Sequence, residues 1–217
     1  MLSGRTYDAF KRGLDILGAT TGLLLVLIPM FLIGAGVLLA NGRPVLFRQQ
    51  RIGRDERPFV LLKFRTMRSA EAADGQPLPD VERLTRLGAF LRRTSLDELP
   101  QLINVLRGDM SLIGPRPLFV RYLPYYTLRE RQRHQVRPGI TGLAQVSGRN
   151  HLLWDERLEL DVKYVENRSL RLDLSILWRT FGRLFSRGDV IVVPGLVQGP
   201  LDQVRGSGAN VRGEHSE

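Results

Sequence analysis

ILGATTGLLLVLIPMFLIGAGVLLA, residues 16–40, is a run of 25 residues without a charge. A stretch of this length and polarity can cross a hydrocarbon core of about 30 Å. A cleaved signal peptide is not expected, because the run lacks a small-residue cleavage site and passes directly into the arginine-rich residues 43–57. Pro29 stands in its middle. Proline has no N–H and its ring presses on the carbonyl four residues back, here that of Leu25, so the helix is expected to bend or break. Each half then measures roughly 18 Å at about 1.5 Å per residue, enough to enter one leaflet and too little to cross. Lys11 and Arg12 precede the run, and Arg43, Arg48, Arg51 and Arg54 follow it. Basic residues on both flanks place both ends in the cytoplasm. The expectation is therefore a re-entrant helix-break-helix over residues 1–42 with its break at Pro29. A kinked single span is the main alternative, and a buried soluble helix a lesser one.

Outward from this segment, the chain of 217 residues is long enough for one domain without disulfides, and it has no cysteine. Thiolate nucleophiles and cysteine-ligated zinc are thereby excluded. A formal charge of +10, nearly all of its cations arginine, implies an anionic partner: phosphates, nucleic acid or an acidic leaflet. Two strand-like runs, residues 44–47 and 59–64, read as a short β-hairpin leading to Lys63-Phe64-Arg65-Thr66-Met67. Residues 69–80 are polar and rich in Gly, Pro and Ala, as in a mobile loop. Helical periodicity covers 81–93 and 95–106, where Leu96, Leu99, Leu102, Ile103 and Leu106 form an apolar stripe. Residues 118–135 also read as helical, between two turn-dense stretches, 107–117 and 137–150. In residues 174–185 an apolar row of Leu174, Leu177, Trp178, Phe181, Leu184 and Phe185 runs beside Arg179, Arg183 and Arg187. Such a helix suits a lipid headgroup boundary. Covering the domain core with a solvated basic face is the competing reading. The fold class is α+β, mostly helical: a membrane hairpin (1–42), a small cytoplasmic catalytic domain with the β-hairpin and interfacial amphipathic helices (43–190), and a polar C-terminal tail (191–217).

The chemistry concentrates at Ser95-Leu96-Asp97-Glu98-Leu99-Pro100. Helical neighbours point about 100° apart, so Asp97 and Glu98 are not a proton-sharing dyad and different roles are expected. A capping box from Ser95 to Glu98 is the structural alternative. Pro100 conflicts with it, since it would forfeit a bond to the Leu96 carbonyl. A carboxylate at a helix N-terminus is held ionised, as a nucleophile must be. Arginines beside Gly and Pro recur in Gly114-Pro115-Arg116-Pro117, Arg137-Pro138-Gly139 and Gly148-Arg149-Asn150. Guanidinium forks on rigid turns match phosphate oxygens two at a time. Arg92 and Arg93, one turn before the acidic pair, could also hold anionic oxygens. The chain lacks GxxxxGK[ST], GxGxxG after a strand, HExxH and GxSxG. His134, His151 and His215 show no ligand spacing and read as surface or loop residues. A Mg²⁺ held by carboxylate and substrate phosphates is then the expected cofactor.

These ordered segments resemble the bacterial sugar transferases, specifically the small monotopic phosphoglycosyl transferases that begin glycan assembly on polyprenyl phosphate. The resemblance runs from about Lys11 to Val190. It rests on Lys11-Arg12-x-x-Asp15, Lys63-Phe64-Arg65-Thr66-Met67, Ser95-Leu96-Asp97-Glu98-Leu99, residues 108–117 (GDMSLIGPRP), residues 137–142 (RPGITG), Gly148-Arg149-Asn150, Leu160-Asp161-Val162 and Leu172-Asp173-Leu174. It implies a ping-pong reaction in which Asp97 attacks the β-phosphorus of a UDP-sugar, expels UMP and carries the phosphosugar to polyprenyl (undecaprenyl) phosphate. Glu98, with Asp97, is implied as a Mg²⁺ ligand or proton-transfer group. Arg92, Arg116, Arg137, Arg149 and Lys63 are implied as phosphate-binding, and Asp173 and Gln145 as supporting residues. The implied setting is the cytoplasmic face of the bacterial inner membrane. The implied partners are membrane lipid, a second copy of the chain and downstream glycosyltransferases, without nucleic acid. A non-catalytic, membrane-tethered basic scaffold that binds acidic lipid or nucleic acid is the reading from a different class; it predicts indifference to both carboxylates.

Overall fold

The computed structural model of the chain describes residues 4–69, 79–148, 152–185 and 199–211. They form two compact units, one of residues 1–49 and 60–110, the other of residues 50–59 and 111–217. The β-hairpin is divided in sequence between the units, its base falling in the first and its tip in the second. Most of the expected loop, residues 70–78, lies outside the described residues.

The first unit contains α1 (Gly4–Asn41), the paired ends of β1 (Leu46–Ile52) and β2 (Pro58–Phe64), α2 (Asp80–Arg83), α3 (Arg86–Thr94) and α4 (Gln101–Arg107). Helix α1 is continuous over 38 residues and passes through Pro29. The expected break is thus a missing rung and not the end of a helix. The reason lies in its support: the protected positions Tyr7, Lys11, Asp15, Ala19, Gly22, Val26, Met30, Ile33, Val37 and Asn41 recur every three or four residues, while Pro29 is exposed. That unbroken period is one helical face lying on a partner. Val37, Phe64 and Leu91 form the buried core, with Met30, Ile33, Val45, Leu87, Leu96 and Leu99 around it. Arg12 donates to the carbonyls of Val105 and Leu106 at 2.7 and 3.0 Å, where a guanidinium complements the carbonyl end of α4. At the other end of α1, Asn41 Nδ2 donates to the Arg65 carbonyl at 2.7 Å. The outer face carries exposed Leu24, Leu25, Leu27, Ile28, Phe31, Leu32 and Leu39.

The second unit contains β3 (Ser111–Ile113), α5 (Leu128–Arg131), β4 (Gly139–Thr141), α6 (Leu143–Ser147), α7 (Trp154–Glu166), α8 (Leu170–Phe185) and α9 (Leu201–Val211). Strands β3 and β4 pair in parallel, Ser111 opposite Gly139 and Ile113 opposite Thr141. One core joins Ile113, Val136, Val146, Tyr164, Val165 and Ile176; another joins Ile52, Leu118, Tyr122, Tyr126, Leu158 and Leu201. The helix expected over 118–135 is instead a 3-10 helix with Pro124 inside it (Val120–Tyr125), then α5 and a second 3-10 turn (Gln132–Gln135). Pro124 cannot donate to an α-helical ladder. In α8 it is Ile176 that is buried, and Leu174, Trp178 and Phe181 are exposed, so the apolar row marked by the sequence does not cover the core. The expected loose tail also differs over its described part. Leu201 is fully buried, and Arg205 bridges Glu130, Asp155 and the Tyr125 carbonyl.

Candidate active site

The acidic pair sits on a 3-10 turn, Leu96–Glu98, between α3 and α4. Helix α3 ends because Ser95 adopts the left-handed conformation, φ 58 and ψ 17. Ser95 makes no side-chain cap, so the capping box is absent. Pro100 stands at the N-terminal edge of α4, where its missing N–H leaves nothing unpaired. The conflict seen in the sequence disappears because the acidic pair and α4 belong to separate helical turns. Asp97 is 8% exposed. Lys63 reaches the turn from β2, its ammonium 2.6 Å from Glu98 Oε1 and 4.0 Å from Asp97 Oδ2. Both carboxylates thus face a single cationic point. That is the donor geometry a Mg²⁺ would use, with its remaining ligands from substrate phosphate and water. Among the described residues no group of three or more acidic or histidine side chains could hold a metal by protein alone. Asp97 and Glu98 are the residues that would hold such an ion.

Arg92 also lies in this unit. Its Nε donates to Thr66 Oγ1 at 3.0 Å, tying α3 to the Lys63-Phe64-Arg65-Thr66-Met67 segment. Gly88 permits that approach, since a Cβ there would lie 1.9 Å from the Thr66 carbonyl oxygen.

The second unit brings together two of the three Gly/Pro/Arg turns. Around the β3–β4 pair, Ser111 N–H donates to Pro138 O, Gly139 N–H to Pro115 O and Gly114 N–H to Thr141 O, at 2.8 to 2.9 Å. Arg116 and Arg137 thus emerge, half-buried, from adjoining turns. Gly139 is required there: a Cβ would lie 2.1 Å from Gly114 N. Arg149 lies outside the described residues, as do His151 and His215. Gln145 donates to the Ile140 carbonyl at 3.0 Å, supporting β4. Asp173 is buried, 2.8 Å from the Tyr164 hydroxyl, which is 3.1 Å from the Ile113 carbonyl oxygen. This side chain therefore fastens α8 to β3.

Three features escaped sequence reasoning. Arg133 and Asp161 form a buried ion pair at 2.7 Å, and Arg133 also donates to the Arg116 carbonyl at 2.7 Å. His134, expected at the surface, is 5% exposed with its ring 5.4 Å from that of Tyr126. Burial, with Arg133 and Arg131 nearby, pushes it down to about 3, and burial pushes Tyr126 up to about 12. Asn104 is fully buried on α4. A buried cation or amide amid apolar helical spacing carries no local mark, and only its partners reveal it.

Residues 6–187 match the bacterial sugar transferase family, and the chain belongs to it. It is 54% identical over 146 residues to the uncharacterized sugar transferase EpsL of Bacillus subtilis, covering 67% of this chain and 72% of that one. A UDP-glucose:undecaprenyl-phosphate glucose-1-phosphate transferase of Caulobacter vibrioides is 43% identical over 195 residues, 82% of this chain and 71% of its own length. The Escherichia coli protein of the same name is 42% identical over 185 residues, 78% of this chain and 39% of its own length. The chain is thus an enzyme of the sugar transferase family, and it spans about two fifths of the longer relative.

Proposed function

We propose that the chain is a phosphoglycosyl transferase that moves a phosphosugar from a UDP-sugar to polyprenyl phosphate. The observation that carries this reading is the Asp97–Glu98 turn, enclosed and faced by Lys63. An Asp97 carboxylate oxygen attacks the β-phosphorus, the bond to the bridging oxygen breaks, and UMP leaves with that oxygen. A phosphate oxygen of polyprenyl phosphate then attacks the same phosphorus, releasing Asp97 and forming the lipid-linked diphosphate sugar. Lys63 and Arg92 of the first unit are phosphate-binding cations, and Arg116, Arg137 and Arg149 are assigned the same chemistry within the second. Mg²⁺, held by Asp97 and Glu98, would supply further charge neutralisation at the phosphates. The names of the two undecaprenyl-phosphate glucose-1-phosphate transferases to which the chain is similar support the two substrate classes.

Membrane seating supports the same reading. Twelve large apolar side chains stand exposed along α1 among the described residues, and burying each is worth about 1.5–3 kcal/mol, so lipid is their fitting solvent. Arg12 and Asn41, near opposite ends of α1, are both bonded to main-chain carbonyls of the same unit. A perpendicular span would carry one of those polar attachments through the bilayer. A re-entrant course, with α1 bent at the missing rung of Pro29 so that it enters and leaves the cytoplasmic leaflet of the inner membrane, keeps both at the surface. The outward row Leu174, Trp178 and Phe181 on α8 is a second contact for the headgroup region.

Asp97→Asn tests the assignment. With labelled UDP-sugar it should form no covalent phosphosugar adduct and release no UMP, while the wild type does both. Normal turnover by the variant would remove Asp97 from the mechanism; a wild type that releases no UMP from any UDP-sugar would favour the scaffold reading.

A further inference from the structure

We propose that Asn104 is a positioning residue for catalysis, acting through Lys63; this rests on the reading of Asp97 and Glu98 as the reacting pair. Its side-chain amide makes three bonds. Oδ1 accepts from the Leu62 N–H at 3.0 Å, and Nδ2 donates to the Val60 carbonyl at 2.7 Å and to Asp109 Oδ2 at 3.1 Å. In a strand, the carbonyl of one residue and the N–H of the second residue on face the same edge. The Asn104 amide, with donor and acceptor side by side, therefore pairs with the edge of β2 as a neighbouring strand would. Only Asn or Gln offers that arrangement. The Asn104 carbonyl further accepts from Asp109 N–H and Met110 N–H at 3.1 and 3.3 Å, closing the turn after α4.

The consequence lies one residue along the strand. Lys63 follows Leu62 directly, and its ammonium must meet Glu98 and Asp97 on the turn that precedes α4. Asp97 on that turn and Gln101 and Asn104 on α4 are all buried. The amide thus sets the height of β2 against the helix that follows the acidic pair. Without it, the Leu62 N–H and Val60 carbonyl lose their buried partner and the strand can slide, carrying Lys63 with it.

The test uses the full chain in lipid nanodiscs and the variants Asn104→Ala, Lys63→Met and the double variant. Asn104→Ala should lower kcat on the order of 10- to 100-fold with KM for the UDP-sugar changed by less than about threefold. In the Lys63→Met background the same substitution should cost little more, because the group it positions is gone. Losses that multiply in full would overturn the proposal, as would a rise in KM with kcat intact. A second readout needs no turnover: acylation of the Lys63 amine by acetic anhydride, followed by peptide mass. Labelling should be several-fold faster in Asn104→Ala, because the Glu98 contact is loosened. Unchanged labelling would overturn the proposal even if the parent enzyme were active. Faster labelling in a parent that releases no UMP from any UDP-sugar would keep the positioning role and sink the transfer reading. If Asn104→Ala does not fold, Asn104→Asp, which keeps the acceptor and loses both donors, is read the same way.

Discussion

Asp97 owes its orientation to the residue two before it. Ser95 is left-handed, a conformation that costs an L-residue about 1–2 kcal/mol and is tolerated where the surroundings impose it. A β-branched side chain fits there worst. Ser95→Val should lower unfolding free energy by about 1–2 kcal/mol, while Ser95→Gly stays within about 1 kcal/mol of the parent, as read by denaturant titration. His134 sets a pH dependence at the same scale. Burial holds it neutral down to about 3, whereas the unfolded side chain takes a proton near its ordinary value of 6.5. The unfolded state then binds more protons, so stability present above about pH 6.5 is lost as pH falls toward 3. His134→Gln should show a shallower fall of Tm across that window. Few of these residue-level features were legible. Asp97 and Glu98 stood out by type and neighbours, and Lys63 through the family resemblance, but the left-handed serine and the buried histidine depend on packing that local spacing does not record.

Among the elements, the parallel β3–β4 pair does most to assemble candidate residues. Each strand is three residues long, and together they bring Arg116 and Arg137 onto adjoining turns. Gly139→Ala forces a Cβ against Gly114 N. It should cost about 1–3 kcal/mol in stability and raise KM for the UDP-sugar through displacement of the two arginines; a melt combined with UMP-release kinetics checks both. The sequence marked these stretches as turns and not as paired strands. Three residues show too little alternation, and pairing between segments 28 positions apart leaves no local period. The β1–β2 hairpin and α1 were legible because each carries its own local pattern. In α4 the apolar stripe was legible too. Its polar positions Gln101 and Asn104 proved to be buried.

At the scale of the molecule, topology is the open physical question, and the absence of native cysteine makes it accessible. Cysteines introduced singly at Arg5 and Arg54 should both react with an impermeant maleimide from the cytoplasmic side in inverted vesicles. Labelling from opposite faces would replace the re-entrant course with a span. By itself the sequence determined that a long apolar helix opens the chain, that arginine-rich turns and one acidic pair follow, and that the whole resembles sugar transferases. Composition and short-range spacing carry those facts. Only the tertiary structure decided that α1 runs unbroken through Pro29, that the acidic pair lies on its own 3-10 turn facing Lys63, and that a buried amide joins strand to helix. Each of these depends on groups distant in the chain satisfying one another's hydrogen bonds and apolar surface, which no local pattern encodes.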